Sequence, residues 1–176
     1  AEPVVGISVR NWQHETRFKD VMAEVADRIV RELSARVVFL PMQFPEDVHA
    51  AESIAERTHE PCTVLKDEYT TSEFLSLVGN MDLMLAIRLH ALIFAGVMGV
   101  PMIGVSYDPK IDRFLSSIGE KPVGSLDTVT ADELMAEIRR KWNDKAVFRK
   151  RNAELLGKLR DLAARNAELA LQLIER

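Results

Sequence analysis

Cysteine is almost absent. Cys62 stands alone in 176 residues, which excludes an internal disulfide and fits a reducing compartment. It lies in the apolar run Cys62–Leu65 and reads as a buried strand residue rather than a nucleophile. No apolar stretch is long enough to cross a membrane and no signal peptide opens the chain, so membrane contact is expected to be peripheral or to belong to a part outside this chain. Positive charge is not in surplus either. A formal net charge of −4 argues against a nucleic-acid partner, whose binder usually shows a basic stripe, yet leaves room for a local basic pocket. Glycine-rich phosphate loops are missing: Gly6 stands inside an apolar run with no G-x-G-x-x-G after it, and no Gly-Lys-Ser/Thr occurs. Neither the dinucleotide fingerprint nor a P-loop is therefore present. No metal site is expected, because no histidine pair has ligand spacing and carboxylates do not cluster near the strand ends described below. A nucleophile elbow is lacking, although a Ser-His-Asp triad using Ser8 or Ser106 stays open. His14, His49 and His59 receive no role.

What the chain does contain is a regular alternation of strand and helix patterns. Pro3–Val9 is an apolar strand met almost without lead-in, as at the start of an α/β protein or of a domain cut at its boundary. From Phe18 to Leu33, apolar residues at Val21, Met22, Val25, Ile29 and Leu33 follow helical spacing. Val37–Leu40 is a second strand closed by Pro41, Asp47–Arg57 a helix with Ala51, Ile54 and Ala55 inward, and Cys62–Leu65 a third strand. Thr71–Val78 is a short helix with Phe74, Leu75 and Val78 inward. Met81–Ala86 and Pro101–Val105 are strands four and five, on either side of a helix starting near Arg88. This order predicts an α/β, Rossmann-like, doubly wound domain over residues 1–143, with a parallel sheet, right-handed crossovers and helices on both faces. Thr130-x-x-Glu133 has capping-box spacing ahead of a helix over Ala131–Trp142. Residues 144–176 then form a helical tail. Phe148, Leu155, Leu159, Leu162, Leu169 and Leu173 make a heptad seam in which Asn152 and Asn166 are polar interruptions. Such a tail packs on this domain or a partner domain, or it dimerises.

In a doubly wound sheet the strand order reverses between strands one and four, and ligands lie outside the carboxyl ends there. Arg10-Asn11-Trp12 follows strand one. Arg88-Leu89-His90 follows strand four, at a helix start that favours negative charge. Ser106-Tyr107-Asp108-Pro109-Lys110 follows strand five. The topology therefore gathers Arg10, Arg88, His90 and Lys110 around one crevice of an acidic protein. Phosphate or carboxylate suits such a place, held by charge-assisted hydrogen bonds. Each residue also has a plainer reading. Arg88 and Arg10 make ordinary ion pairs, His90 is a core histidine, Lys110 is solvated, Trp12 belongs to the core, and Asp108 orients Lys110 or Arg88 rather than acting as a base. Pro109 sets the shape of the loop before the next helix.

Val5-Gly6-Ile7-Ser8-Val9-Arg10, Met81-Asp82-Leu83-Met84, Arg88-Leu89-His90-Ala91-Leu92-Ile93-Phe94-Ala95, Gly99-Val100-Pro101 and Ser106-Tyr107-Asp108-Pro109-Lys110 together resemble the polysaccharide pyruvyl transferase family, and most closely its bacterial CsaB type, which modifies secondary cell-wall polysaccharide. The resemblance implies the C-terminal half of a glycosyltransferase-B-type fold, with the active site in a cleft shared with an N-terminal domain outside this chain. It implies transfer of pyruvate from phosphoenolpyruvate to a sugar, as a ketal on two hydroxyls, with phosphate released. Arg88, Lys110 and Arg10 resemble residues that hold the donor, and Leu89, Asp108, Tyr107 and Asn11 support them. His90 is the candidate proton donor, histidine being the residue type that titrates near neutrality. No cofactor and no metal is implied, since side chains carry the charge stabilisation. The implied partners are phosphoenolpyruvate and a sugar acceptor, free or lipid-linked, with a homo-oligomer through the C-terminal helix as a further expectation. The implied location is cytoplasmic or peripheral at the inner face of the membrane. Two other functions stay open: a nucleotide-sugar glycosyltransferase domain of the same architecture, and a non-catalytic sugar- or partner-binding module.

Overall fold

A computed structural model describes residues 2–11 and 16–174. Its strands are β1 (Val4–Ser8), β2 (Arg36–Phe39), β3 (Cys62–Val64), β4 (Leu83–Ala86) and β5 (Met102–Gly104). They form one parallel sheet in the order β3-β2-β1-β4-β5. The helices are α1 (Thr16–Leu33), α2 (Glu46–Ala55), α3 (Thr71–Gly79), α4 (Leu89–Met98), α5 (Pro109–Ser117), α6 (Ala131–Asn143) and α7 (Lys145–Ile174). The expected Rossmann-like architecture is the one found, with boundaries within a few residues of those read from periodicity. The order reverses between β1 and β4, so the crevice outside their carboxyl ends is the switch point.

Two apolar layers sandwich the sheet. Val25 and Ile29 of α1, Ala51 and Ile54 of α2 and Leu134 and Ile138 of α6 cover one face. Phe74 of α3, Leu92 of α4, Leu115 of α5 and Phe148 of α7 cover the other. β1 and β4, enclosed on both faces, are continuous apolar runs with no alternation, as buried parallel strands are. Gly6 is at the tightest point of the central strand. A Cβ there would lie 2.7 Å from Met84 Sδ and 2.9 Å from Leu40 Cδ1, so its role is close packing and not phosphate binding. Capping boxes start α3 at Thr70 and α6 at Thr130, and Gly99, at φ 69°, ends α4 in the left-handed conformation that glycine adopts freely.

Three details differ from the sequence reading. Cys62, expected to be buried, is half-buried, because β3 is the edge strand and its alternate residues face outward. Asn152 is no mere interruption of a seam. It is buried against α4, where its Nδ2 donates to Gly96 O at 2.6 Å. Among the described side chains of the seam, Phe148 is buried and Leu155 packs beside it, whereas Leu169 is 50% exposed and Asn166 is exposed. Trp12 and His14 lie outside the described residues, as do the side chains of Leu159, Leu162 and Leu173. The start of α7 is tied down further by Lys145 Nζ to Asp82 Oδ1 at 3.0 Å and by an Arg151–Glu120 ion pair. No helix among the described residues is long and apolar enough to cross a membrane.

His59, to which the sequence reading gave no role, closes the loop before β3 onto α1. Buried Asp27 accepts from the amides of His59 (2.8 Å) and Glu60 (2.9 Å), and its Oδ2 lies 3.0 Å from His59 Nδ1. Burial pushes the Asp27 carboxyl up, but the Glu60 amide and the two His59 groups outweigh it and hold the carboxyl below its ordinary 3.8. A depressed carboxylate contributes stability that is present above the unfolded value and lost as pH falls through the folded one. Asp27→Asn is thus expected to be less stable than the parent at pH 7, with the gap shrinking below about pH 4. Urea unfolding at pH 7 and pH 3 measures it, and an unchanged gap would contradict the assignment.

Candidate functional site

The carboxyl ends of β1, β4 and β5 lie side by side. The Ile87 amide donates to Ser8 O at 3.1 Å and the Val105 amide to Ala86 O at 3.1 Å. Arg10, Arg88 and Ser106 therefore leave the sheet at neighbouring points. β2 adjoins on the far side of β1, where the Leu40 amide donates to Ile7 O at 2.8 Å, and brings the loop at 41–45 to the same rim.

Arg88 is the N-cap residue of α4, with extended backbone and a side chain that does not cap the helix. Its guanidinium crosses the crevice instead. Nε donates to Asp47 Oδ2 at 2.8 Å, Nη2 donates to Asp47 Oδ1, and Nη2 also donates to Gln43 Oε1 at 3.0 Å. Asp47 is 0% exposed, and its Oδ2 further accepts from the amides of Met42 (3.1 Å) and Gln43 (2.9 Å). The plain ion-pair reading of Arg88 is thus realised. Among the described residues, Nη1 is the guanidinium nitrogen without a hydrogen-bond partner. His90, in the first turn of α4, is exposed rather than a core histidine. It shares a depression of about 370 Å³ with Arg88, Gln43, Tyr69, Phe74 and Phe94. Leu89 packs into the core beneath it, and Asn11 is exposed at the end of β1.

A second group gathers after β5. Arg10 Nη1 donates to Tyr107 Oη at 3.1 Å. The Arg10 guanidinium and the Lys110 ammonium lie 5.5 Å and 5.9 Å from the Tyr107 ring centroid, so one ring attracts both cations. Asp108 caps α5: Oδ1 accepts from the Lys110 amide at 2.9 Å and Oδ2 lies 3.3 Å from Lys110 Nζ. The Lys110 amide, more than its ammonium, holds the Asp108 carboxyl below the usual range. Asp108 therefore orients Lys110, and Pro109 occupies the helix start that tolerates its missing N–H.

Carboxylates were expected not to cluster near the strand ends, but single ones do stand there. Asp47 is in the crevice, and Asp108, Asp112 and Asp127 line a depression of about 390 Å³ beside Ser106. Among the described residues no group of three or more His, Cys, Asp or Glu is placed to hold a metal ion. The Ser-His-Asp triad left open by the sequence is not assembled. Ser106 Oγ donates to Asp112 Oδ2 at 2.5 Å, with no described histidine in that depression, and Ser8 Oγ is buried, donating to Leu40 O at 2.9 Å. The predicted residues thus fall into two clusters, Arg88 with His90 and Arg10 with Tyr107, Asp108 and Lys110. Gln43 and Asp47 were missed. Their signal was the position of the loop after strand two, beside the switch point.

The family model of polysaccharide pyruvyl transferases matches residues 3–109, the span from β1 to the start of α5. No curated protein matches the chain. Solved structures share the fold at low identity. The C-terminal domain of a group 1 glycosyl transferase from Francisella tularensis is 10% identical at a TM-score of 0.64, over 89% of this chain and 85% of that one. The catalytic domain of cholesterol-α-glucosyltransferase from Helicobacter pylori is 11% identical at 0.63, over 92% of this chain and 99% of that one. The UDP-GlcNAc 2-epimerase of Neisseria meningitidis, bound to UDP-GlcNAc, is 13% identical at 0.58, over 86% of this chain and 38% of that one. The chain thus spans well under half the length of the epimerase, and the likeness to all three is one of fold.

The Asp47–Arg88 pair makes a direct stability forecast. Removing one partner of a buried, hydrogen-bonded ion pair leaves the other uncompensated, at about 3–5 kcal/mol. Asp47→Ala and Arg88→Ala should each lose roughly that much in urea unfolding, and the double variant should lose clearly less than the two losses added. Strict additivity would show that the pair is not coupled.

Proposed function

Since the chain belongs to the polysaccharide pyruvyl transferase family, we propose that it carries the donor side of an enzyme moving pyruvate from phosphoenolpyruvate onto a sugar of a bacterial cell-wall polysaccharide, as in the CsaB type. One observation carries this reading. The family match runs through all three strand ends that hold Arg10, Arg88, His90 and Tyr107, and these bring cations to the switch-point crevice. Phosphoenolpyruvate has a carboxylate and a phosphate and needs more than one cation at short range. Arg10 and Lys110, drawn together at Tyr107, form one contact for it. Arg88, held rigid by Asp47, offers Nη1 as another. Asn11, Leu89 and Asp108 shape and orient these groups.

In the transfer, two sugar oxygens bond to C2 of the donor and the C2–O bond to phosphate breaks. Of the two hydroxyl protons given up, one ends on C3, which becomes a methyl group, and the other on phosphate. His90 is the acid that delivers the proton to C3, generating an oxocarbenium-like centre that the hydroxyl attacks. Its exposure in an open depression lets it exchange protons with solvent between turnovers. Arg88 stabilises the departing phosphate without reorganising, because Asp47 and Gln43 already fix it, while Lys110 shifts toward the phosphate from its exposed pair with Asp108. The acceptor, free or lipid-linked, and a second domain opposite the crevice complete the reaction, and work at the inner face of the membrane needs only peripheral contact.

The second reading is nucleotide-sugar glycosyl transfer, favoured by the fold shared with a glucosyltransferase domain and a UDP-GlcNAc epimerase. The family match outweighs a likeness of fold alone. Calorimetry with phosphoenolpyruvate and with UDP-GlcNAc separates them: phosphoenolpyruvate should bind, and Lys110→Ala or Arg10→Ala should weaken it about tenfold or more. Binding of UDP-GlcNAc without phosphoenolpyruvate would sink the proposal. In the two-domain enzyme, His90→Ala is expected to abolish ketal formation while donor affinity stays within about threefold, and near-normal turnover would remove His90 from the acid role.

A further inference from the structure

The depression at His90 does not end there. A second one, of about 210 Å³, continues from it and shares Met42, Tyr69 and Phe74 as walls, with Phe44, Asp67 and Glu68 at its far end. Together the two reach the size of a small-molecule site. The groove is polarised. Arg88 and His90 stand at one end, Asp67 and Glu68 at the other, with aromatic rings between them. Phe44 is 46% exposed, although it is large and apolar. Tyr69 is fixed in place: it precedes the Thr70 cap of α3, and Phe74 follows four residues after that cap, the two positions of a hydrophobic staple. Phe74 in turn stacks at a tilt on Phe94, with centroids 5.7 Å apart. The rings are therefore preorganised and gain little further order on binding.

We infer that this groove is a subsite for a neutral sugar ring, the acceptor of the transfer, lying next to the donor contacts of Arg88 and His90. The inference rests on the donor reading above. An anion is drawn to the Arg88 end and repelled by Asp67 and Glu68, so the two ligands sort by charge. A pyranose matches the rest, since its C–H face lies against an aromatic ring while its hydroxyls donate to carboxylates. Placed there, the acceptor's hydroxyls meet the donor at His90. The acceptor then is bound in part by this chain and not wholly by an opposing domain.

The test is ligand-observed NMR on this chain with methyl glycosides of glucose, galactose, mannose and N-acetylglucosamine at about 10 mM, a range suited to millimolar affinity. Phosphoenolpyruvate and UMP are titrated in parallel. At least one glycoside should bind, and Phe44→Ala and Tyr69→Leu should each weaken it roughly threefold to tenfold, the worth of one aromatic contact. Phosphoenolpyruvate binding should stay within about twofold in both variants. Tyr69→Leu keeps an apolar staple, and Phe44 is exposed, so neither change asks the core to repack. Absence of glycoside binding while phosphoenolpyruvate binds would overturn the sugar subsite and leave the donor reading standing. Glycoside binding without phosphoenolpyruvate binding would do the reverse. UMP binding that both variants weaken, with glycosides unaffected, would also overturn the inference, by making the groove a nucleobase platform.

Discussion

The Asp47–Arg88 pair is the constraint on which the crevice depends. In a parallel sheet the strands are bonded along their lengths, but the loops leaving their carboxyl ends share no ladder. At the switch point between β1 and β4 they also diverge to opposite faces, because α1 and α2, which follow β1 and β2, cover one side and α4 the other. One buried carboxylate bridges that divergence. It accepts two amides from its own loop and a two-pronged guanidinium from β4. The geometry of the 41–45 loop, the rotamer of Arg88 and the first turn of α4 are thereby set together. Both depressions beside His90 borrow walls from those segments. A hydrophobic pair could hold the loops at similar cost, but it would leave no donor nitrogen at the rim.

The cations of the crevice differ in how firmly they are held. Arg88 has a fully buried partner, whereas Lys110 pairs with Asp108 where both side chains are substantially exposed. Screening makes the second pair weak and exchangeable. An incoming anion can therefore draw Lys110 from Asp108 at little expense, while Asp108 keeps its capping bond to the Lys110 amide. Arg88 cannot be drawn from Asp47 so easily and contributes by direction rather than by movement. An acidic chain thus presents a positive site without stacking bare cations against one another, and repulsion between them stays modest before a ligand arrives.

The layered fold was legible because its signals are local. Each element is a short apolar run or a helical period bounded by Pro, Gly or a cap, and the right-handed crossover rule leaves few arrangements for them. The strand ends of β1, β4 and β5 were legible for the same reason. Asp47 was not, because an aspartate in the first turn of a helix reads as a dipole or capping residue. Its partner lies 41 residues away. Gln43 and Tyr69 follow β2 and β3 rather than the strands that flank the switch point, and the position of the loop after β2 is the one signal for Gln43. Asn152 misled through its spacing. The heptad pattern is present, but among the described side chains it is those of the first turns of α7 that pack on the domain, and there the polar position answers a carbonyl at the end of α4. The switch-point topology gathered the cations and left their pairing open, because the partner of Arg88 comes from the helix after β2.

α4 shows how these pieces combine. Its last carbonyls have no partner within the helix, and the chain satisfies one of them with Asn152 while Gly99 turns the backbone away in the left-handed conformation. Its N-cap residue, Arg88, is held by Asp47 across the crevice. The helix is therefore pinned at both ends by polar contacts with little freedom of register, and its flank is packed by Ala91, Leu92 and Ala95, which are fully buried. Directional hydrogen bonds at the two ends add to the fit of its apolar side chains, among them Leu92 and Phe94. His90 thus stands on a helix held by polar contacts at both ends while it is itself exposed. A proton donor benefits from that combination of fixed attachment and free access. The same logic ties α7 to the proposed site although it lies at the other end of α4: through Asn152 it anchors the far end of the helix that carries His90, the proposed acid.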